Sequence, residues 1–187
     1  MRQSCFFMPR CVAVALLLSG CADLSGPNLT RGPAVCRESA AEPAPSAAAL
    51  ADSLLVIIPD AALTAEQAAR VDGLRSRPWA ARIEIARIAD DAAELLQPGR
   101  EFMVGVSPTR SFPLQGQRFS PFSSYLYWSG RVTGEFGEAS LAFDHNGVYG
   151  GLTSIPRDGA GTTYGIEPIG GGLHAVTCVD GSKVPTD

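Results

Sequence analysis

Apolar and polar positions switch period once along this chain. Ser53–Ile58 is a continuous apolar run closed by Pro59-Asp60, the signature of a buried strand. Thr64 with Gln67 three positions later forms a capping-box pattern, and it opens a short helix over Ala65–Arg75 with Ala68, Val71 and Leu74 on one face. Pro78 closes that stretch. Over Arg82–Ile88 the period drops to two, with Ile83 and Ile85 on one side and Arg82 and Glu84 on the other, as in a half-buried strand. A helical turn over Asp90–Leu96 ends at Pro98-Gly99. From Glu101 onward the pattern is one of short strands: Glu101–Val106, Tyr125–Val132, Ala139–Phe143, Val148–Ile155, Thr162–Ile166 and Leu173–Val179. Turn chemistry separates them at Asp144-His145-Asn146-Gly147, Pro156-Arg157-Asp158-Gly159 and Gly170-Gly171-Gly172. Asn146-Gly147 is the sharpest of these signals, because the pair suits the positive φ angles of a type I′ hairpin. Ser107–Ser124, rich in Pro, Ser and Phe, is expected to be a loop whose Phe112, Phe119 and Phe122 either anchor it to the core or present a binding surface. The fold class is therefore mainly β with one or two short helices, an antiparallel meander rolled or packed over a single core.

The N-terminal apolar segment changes the setting. Arg2 and Arg10 precede a seven-residue apolar run, Val12–Leu18, which ends in Leu18-Ser19-Gly20-Cys21. That run is too short to span a bilayer, which needs about 20 residues, but it suits a signal-peptide core. Leu-Ser-Gly-Cys resembles the lipobox of bacterial lipoproteins. The resemblance implies cleavage before Cys21, acylation of its sulfur by a palmitate-type chain, and a body held at the membrane surface. Ala22 follows Cys21 where inner-membrane retention commonly uses aspartate, so the outer membrane is expected over the inner. The organisation is then a leader over 1–20, a lipidated N-terminus and flexible tether over 21–52, and one domain over 53–187. Gly26-Pro27, Gly32-Pro33 and the Ala/Pro/Ser-rich 40–49 carry the tether reading.

The chain has 15 basic and 19 acidic residues. Loss of the two leader arginines leaves 13 against 19, a net charge of −6. A single lysine, Lys183, and no basic stripe exclude the electrostatics of nucleic-acid binding. With Cys5 and Cys11 in the leader and Cys21 acylated, Cys36 and Cys178 are left to pair in an oxidising compartment.

Candidate chemistry is sparse. His145 and His174 have no metal-spaced partners, no His-Glu-x-x-His motif occurs, and no serine stands in Gly-x-Ser-x-Gly. Gly170-Gly171-Gly172 does not open a helix, and Asp90-Asp91 with Glu94 reads as a solvated acidic face. No enzyme, metal or cofactor is expected.

Tyr127-Trp128-Ser129-Gly130-Arg131-Val132, then Ser140-Leu141, Val148-Tyr149-Gly150-Gly151-Leu152, Tyr164-Gly165-Ile166 and Gly172-Leu173-His174-Ala175-Val176 follow a familiar spacing. The series resembles the β-rich propeptide of secreted bacterial zinc metalloendopeptidases of the peptidyl-Asp type, over roughly residues 80–180. Trp128, Gly130, Gly147 and Gly150 are its structural positions. The chain stops at Asp187 without the family's catalytic domain, so the resemblance implies a module acting in trans on a secreted protease or another envelope protein, as inhibitor, chaperone or adhesion module. Phe119, Phe122 and Tyr125 are the candidate partner-binding residues. The alternative is a β-rich lipoprotein holding a small or hydrophobic ligand in its interior; a filled core with exposed aromatics would favour the first reading, an apolar chamber the second.

Overall fold

The computed structural model describes Cys36, residues 52–156 and residues 161–185. The leader, Cys21, most of the tether and the turn at Arg157-Asp158-Gly159 lie outside these residues. In chain order the elements are β1 (Ser53–Ile57), α1 (Ala65–Arg75), β2 (Ala80–Ile88), α2 (Ala92–Leu95), β3 (Glu101–Ser107), β4 (Arg110–Pro121), β5 (Leu126–Val132), β6 (Phe136–Asp144), β7 (Gly147–Ile155), β8 (Thr162–Gly170) and β9 (Leu173–Val179), with a 3-10 turn over Gly181–Lys183. The strands close into a nine-strand barrel in the order β1-β2-β9-β8-β7-β6-β5-β4-β3. Seven consecutive strands, β3 to β9, form the antiparallel meander, and β2 adds antiparallel to β9. Closure falls to β1, antiparallel to β2 through three register pairs and parallel to β3 through two.

The interior is packed with apolar side chains: Val104, Leu114, Trp128, Leu141, Leu152, Ile166 and Val176 are among those 0–1% exposed. Trp128 needs space that two glycines supply. Gly116 and Gly130 face each other in register across β4 and β5, and a Cβ on Gly116 would sit 2.9 Å from the Trp128 indole nitrogen. One on Gly130 would run into the indole ring and the Gln115 carbonyl. The ring fills this niche and packs, tilted, on Phe102 at 5.0 Å between centroids.

Helix α1 lies on the barrel wall, where Val71 and Leu74 meet Ile169, Leu173 and Ala175, with Ile83 and Ile85 packed alongside. Its capping box is complete: the Thr64 hydroxyl accepts from the Gln67 N–H, and the Gln67 side chain accepts from the Thr64 N–H. Gln67 also donates to the Gly170 carbonyl and so ties the helix to the β8–β9 turn.

Three expectations need correction. Ser107–Ser124 is not a loop. It holds the tight β3–β4 turn and the twelve-residue β4, paired to β3 and β5. Pro113 is tolerated inside the sheet because its carbonyl accepts from Thr133 N–H, so its nitrogen faces the same side, just past the end of β5, and no hydrogen bond to Met103 on β3 is lost. The β6–β7 hairpin is present but one residue out of phase: His145 and Asn146 are its tip, both with negative φ, and the positive φ falls on Gly147 at +133°. The Asp144 carboxylate accepting from Asn146 N–H sets this turn in place of the type I′ geometry. Finally, the polar side of β2 is its inner side. Arg82 pairs in register with the inward Cys178, whereas Ile83 and Ile85 look out onto α1.

Candidate functional site

The two ends of the barrel carry different chemistry. At the end where β2 finishes and β3 begins, α2 turns across the opening and buries Leu95 and Leu96 in the core. The β4–β5 hairpin projects past this end. Phe119 packs partly buried against the core, while Phe122 is 52% exposed and Tyr125 40%. Their rings stack at 4.7 Å with 17° between planes, and Phe122 N–H donates to the Tyr125 carbonyl at 2.9 Å, closing a two-residue Ser123-Ser124 tip. The structure thus separates the three predicted partner residues into one anchor and an exposed, mutually held pair.

His174 also belongs to this end. It is wholly buried, and its Nε2 accepts from Val148 N–H at 2.9 Å, a geometry that fixes the neutral ring. Gly147 makes this possible, since a Cβ there would come within 2.5 Å of Nε2. Burial pushes the imidazole below its ordinary pKa, and the Gly172 carbonyl opposes that shift. Gly150, opposite Leu141 on β7 with φ +147°, presses its backbone against the Ser140 carbonyl.

The other end has a polar layer that sequence reasoning did not assemble. Arg82 and Glu84 from β2, Arg110 from β4, Glu135 from the β5–β6 turn, Ser154 from β7 and Tyr164 from β8 converge there. Arg82 lies 3.3 Å from Glu84, and Arg110 lies 3.8 Å from Glu135. Ser154, fully buried, donates its hydroxyl hydrogen to the other Glu135 oxygen. The Arg110 guanidinium stacks over Phe112 at 4.6 Å. Burial pushes the Tyr164 phenol above its ordinary pKa, while Arg110 and Arg82 pull it back. A cavity of about 250 Å³ opens here, lined by Arg110, Ser111, Phe112, Val132, Thr133 and Glu135 among others. Cys36 and Cys178 are bonded beside this layer, with Cα atoms 6.4 Å apart, and Cys36 packs against the core. Among the described residues no group of three or more His, Cys, Asp or Glu side chains could hold a metal ion, and no helix is long and apolar enough to cross a membrane.

No protein-family model matches the chain, and no curated protein matches it in sequence. Among solved structures, a chain from a chaperone-substrate complex is similar at 11% identity and a TM-score of 0.40, over 56% of this chain and 82% of that one.

Proposed function

We propose that this protein is a lipid-anchored, non-enzymatic binding module of the cell envelope that engages another protein through the tip of its β4–β5 hairpin, and that its partner is a secreted protease on which it acts in trans. The observation that carries this reading is the Phe122–Tyr125 pair. Large aromatics held in a fixed stacked geometry on a two-residue turn offer contact area at low entropic cost, as anchors of protein interfaces do. The apolar side chains of the barrel occupy the interior, which is where the alternative reading places its ligand. The lipobox residues Leu18–Cys21 support anchoring at Cys21, and the propeptide-like strand series supports the choice of partner.

The test uses full-length protein and a purified secreted metalloprotease from the same host. Phe122→Ser with Tyr125→Ser should cut affinity at least tenfold, the effect of losing one interfacial anchor, with the melting temperature nearly unchanged. In parallel, Cys21→Ser should release the protein from membranes or leave it unprocessed. Peptide hydrolysis by the pure protein, or a small ligand co-purifying while the protease fails to bind, overturns the proposal.

A further inference from the structure

We propose that the polar end of the barrel is a receptor for a peptide C-terminus, with Arg110 taking the terminal carboxylate and the Phe112–Val132 side of the cavity taking an apolar last side chain. Arg110 carries the argument. Its side chain is only 17% exposed, so its charge has lost most of its water and calls for an anion. Glu135 is the anion at hand, yet its nearer oxygen stays 3.8 Å away, beyond hydrogen-bond reach. The reason is Ser154, buried on β7, which holds the other carboxylate oxygen from the opposite side. Glu135 therefore balances the charge of Arg110 without making the paired hydrogen bonds its planar fork can form, and even with Tyr164 beside it that fork of five donors matches a second carboxylate.

The space next to that fork has a matching shape. The cavity of about 250 Å³ lies between the start of β4 and the Thr133-Gly134-Glu135 turn. It falls short of the roughly 300–1,000 Å³ of ordinary small-molecule sites and suits a single residue. Its lining combines Arg110 with Phe112, Pro113 and Val132, and the Ser111 and Thr133 hydroxyls add polar contacts. A C-terminal residue bears its carboxylate and its side chain on the same carbon, so charge and apolar group can land together. An internal Glu or Asp holds its carboxylate at the end of the side chain and brings no apolar group beside it. This site stands apart from the aromatic hairpin tip at the opposite end, so either can fail alone.

Calorimetric titration of the full-length protein in detergent, with four probes, tests the proposal: acetyl-Ala-Ala-Leu as the free acid, the same peptide as its amide, acetyl-Ala-Glu-Ala amide, and inorganic phosphate. The free acid should bind about tenfold or more tightly than its amide, the scale of losing a charge-assisted hydrogen bond. Glu135→Gln should tighten the acid several-fold by removing the competing charge. Ser154→Ala should weaken it, because the freed Glu135 can close on Arg110, and Arg110→Met should abolish it. Equal binding of acid and amide, no binding of the acid, phosphate or the Glu-bearing amide binding as well as the acid, or no gain in Glu135→Gln overturns the proposal. If Arg110→Met does not melt cooperatively, the acid–amide pair on the native protein and the Glu135→Gln variant decide alone.

Discussion

One barrel closes its two ends by opposite means. At the helix-capped end, the twelve residues between β2 and β3 suffice for α2 to turn inward, and Leu95, Leu96, Phe102 and Trp128 form an apolar stopper with the Gly116–Gly130 niche behind it. At the polar end no α-helix turns into the opening among the described residues. Two arginines, two glutamates, a tyrosine and a serine form the layer instead, with a disulfide beside it. The apolar stopper is held by burial, which is large and needs no partner geometry. The polar layer is held by pairings whose net contribution is small, because each must first offset its own desolvation. Stability should therefore concentrate at the capped end and adjustable binding at the polar one.

Trp128→Ala should break this asymmetry most severely. Emptying the niche removes a wholly buried indole and leaves a cavity, a loss of about 3–5 kcal/mol, and chemical denaturation should show a large fall in midpoint. A loss below about 1 kcal/mol would mean that the stopper does not carry the fold.

Next in size is the covalent tie. Cys36→Ser leaves the buried Cys178 in place and opens a loop with a sequence separation of 142. The expected cost is about 2–4 kcal/mol. Reductant should lower the wild-type melting temperature to that of the variant, and should leave the variant itself unmoved. Wild-type protein that melts alike with and without reductant contradicts the tie.

The smallest effect concerns His174. Its folded pKa lies below the ordinary 6.5 because it is buried, so the unfolded chain binds a proton that the fold excludes. This contribution to stability is complete above about pH 6.5 and is lost as pH falls towards the folded value. His174→Gln retains an acceptor for Val148 and does not titrate. Its urea midpoint should fall less than that of wild type between pH 7.5 and 5.5, and parallel curves would count against the assignment.

What could be read from the sequence was local. Thr64 and Gln67 are three residues apart, so helix α1 and its start were legible, and Leu173–Val179 was readable as a strand. Strand β4 was hidden because Pro113, Pro121 and the five serines of Ser107–Ser124 imitate a loop, and only pairing on both sides makes it a strand. The parallel β1–β3 contact that turns a meander into a barrel joins distant segments and leaves no periodic trace. The polar layer was invisible for the same reason, since its members are spread from Arg82 to Tyr164. One signal did exist. Arg82 and Glu84 share the parity of Ala86 and Ile88, so they had to face the same side as the core once Ile83 and Ile85 were claimed by a helix.

The position of Cys36 also sets how the molecule carries load. Tension applied to the chain ahead of residue 36 reaches the fold through Cys178 on β9, before it can reach Ser53. Strand β9 is laced along its length to β2 on one side and β8 on the other, whereas β1 is held by a handful of pairs. The disulfide thus works as a strain relief: a tug on the chain ahead of residue 36 is borne by one of the best-bonded staves of the barrel, and the weak closing seam is spared.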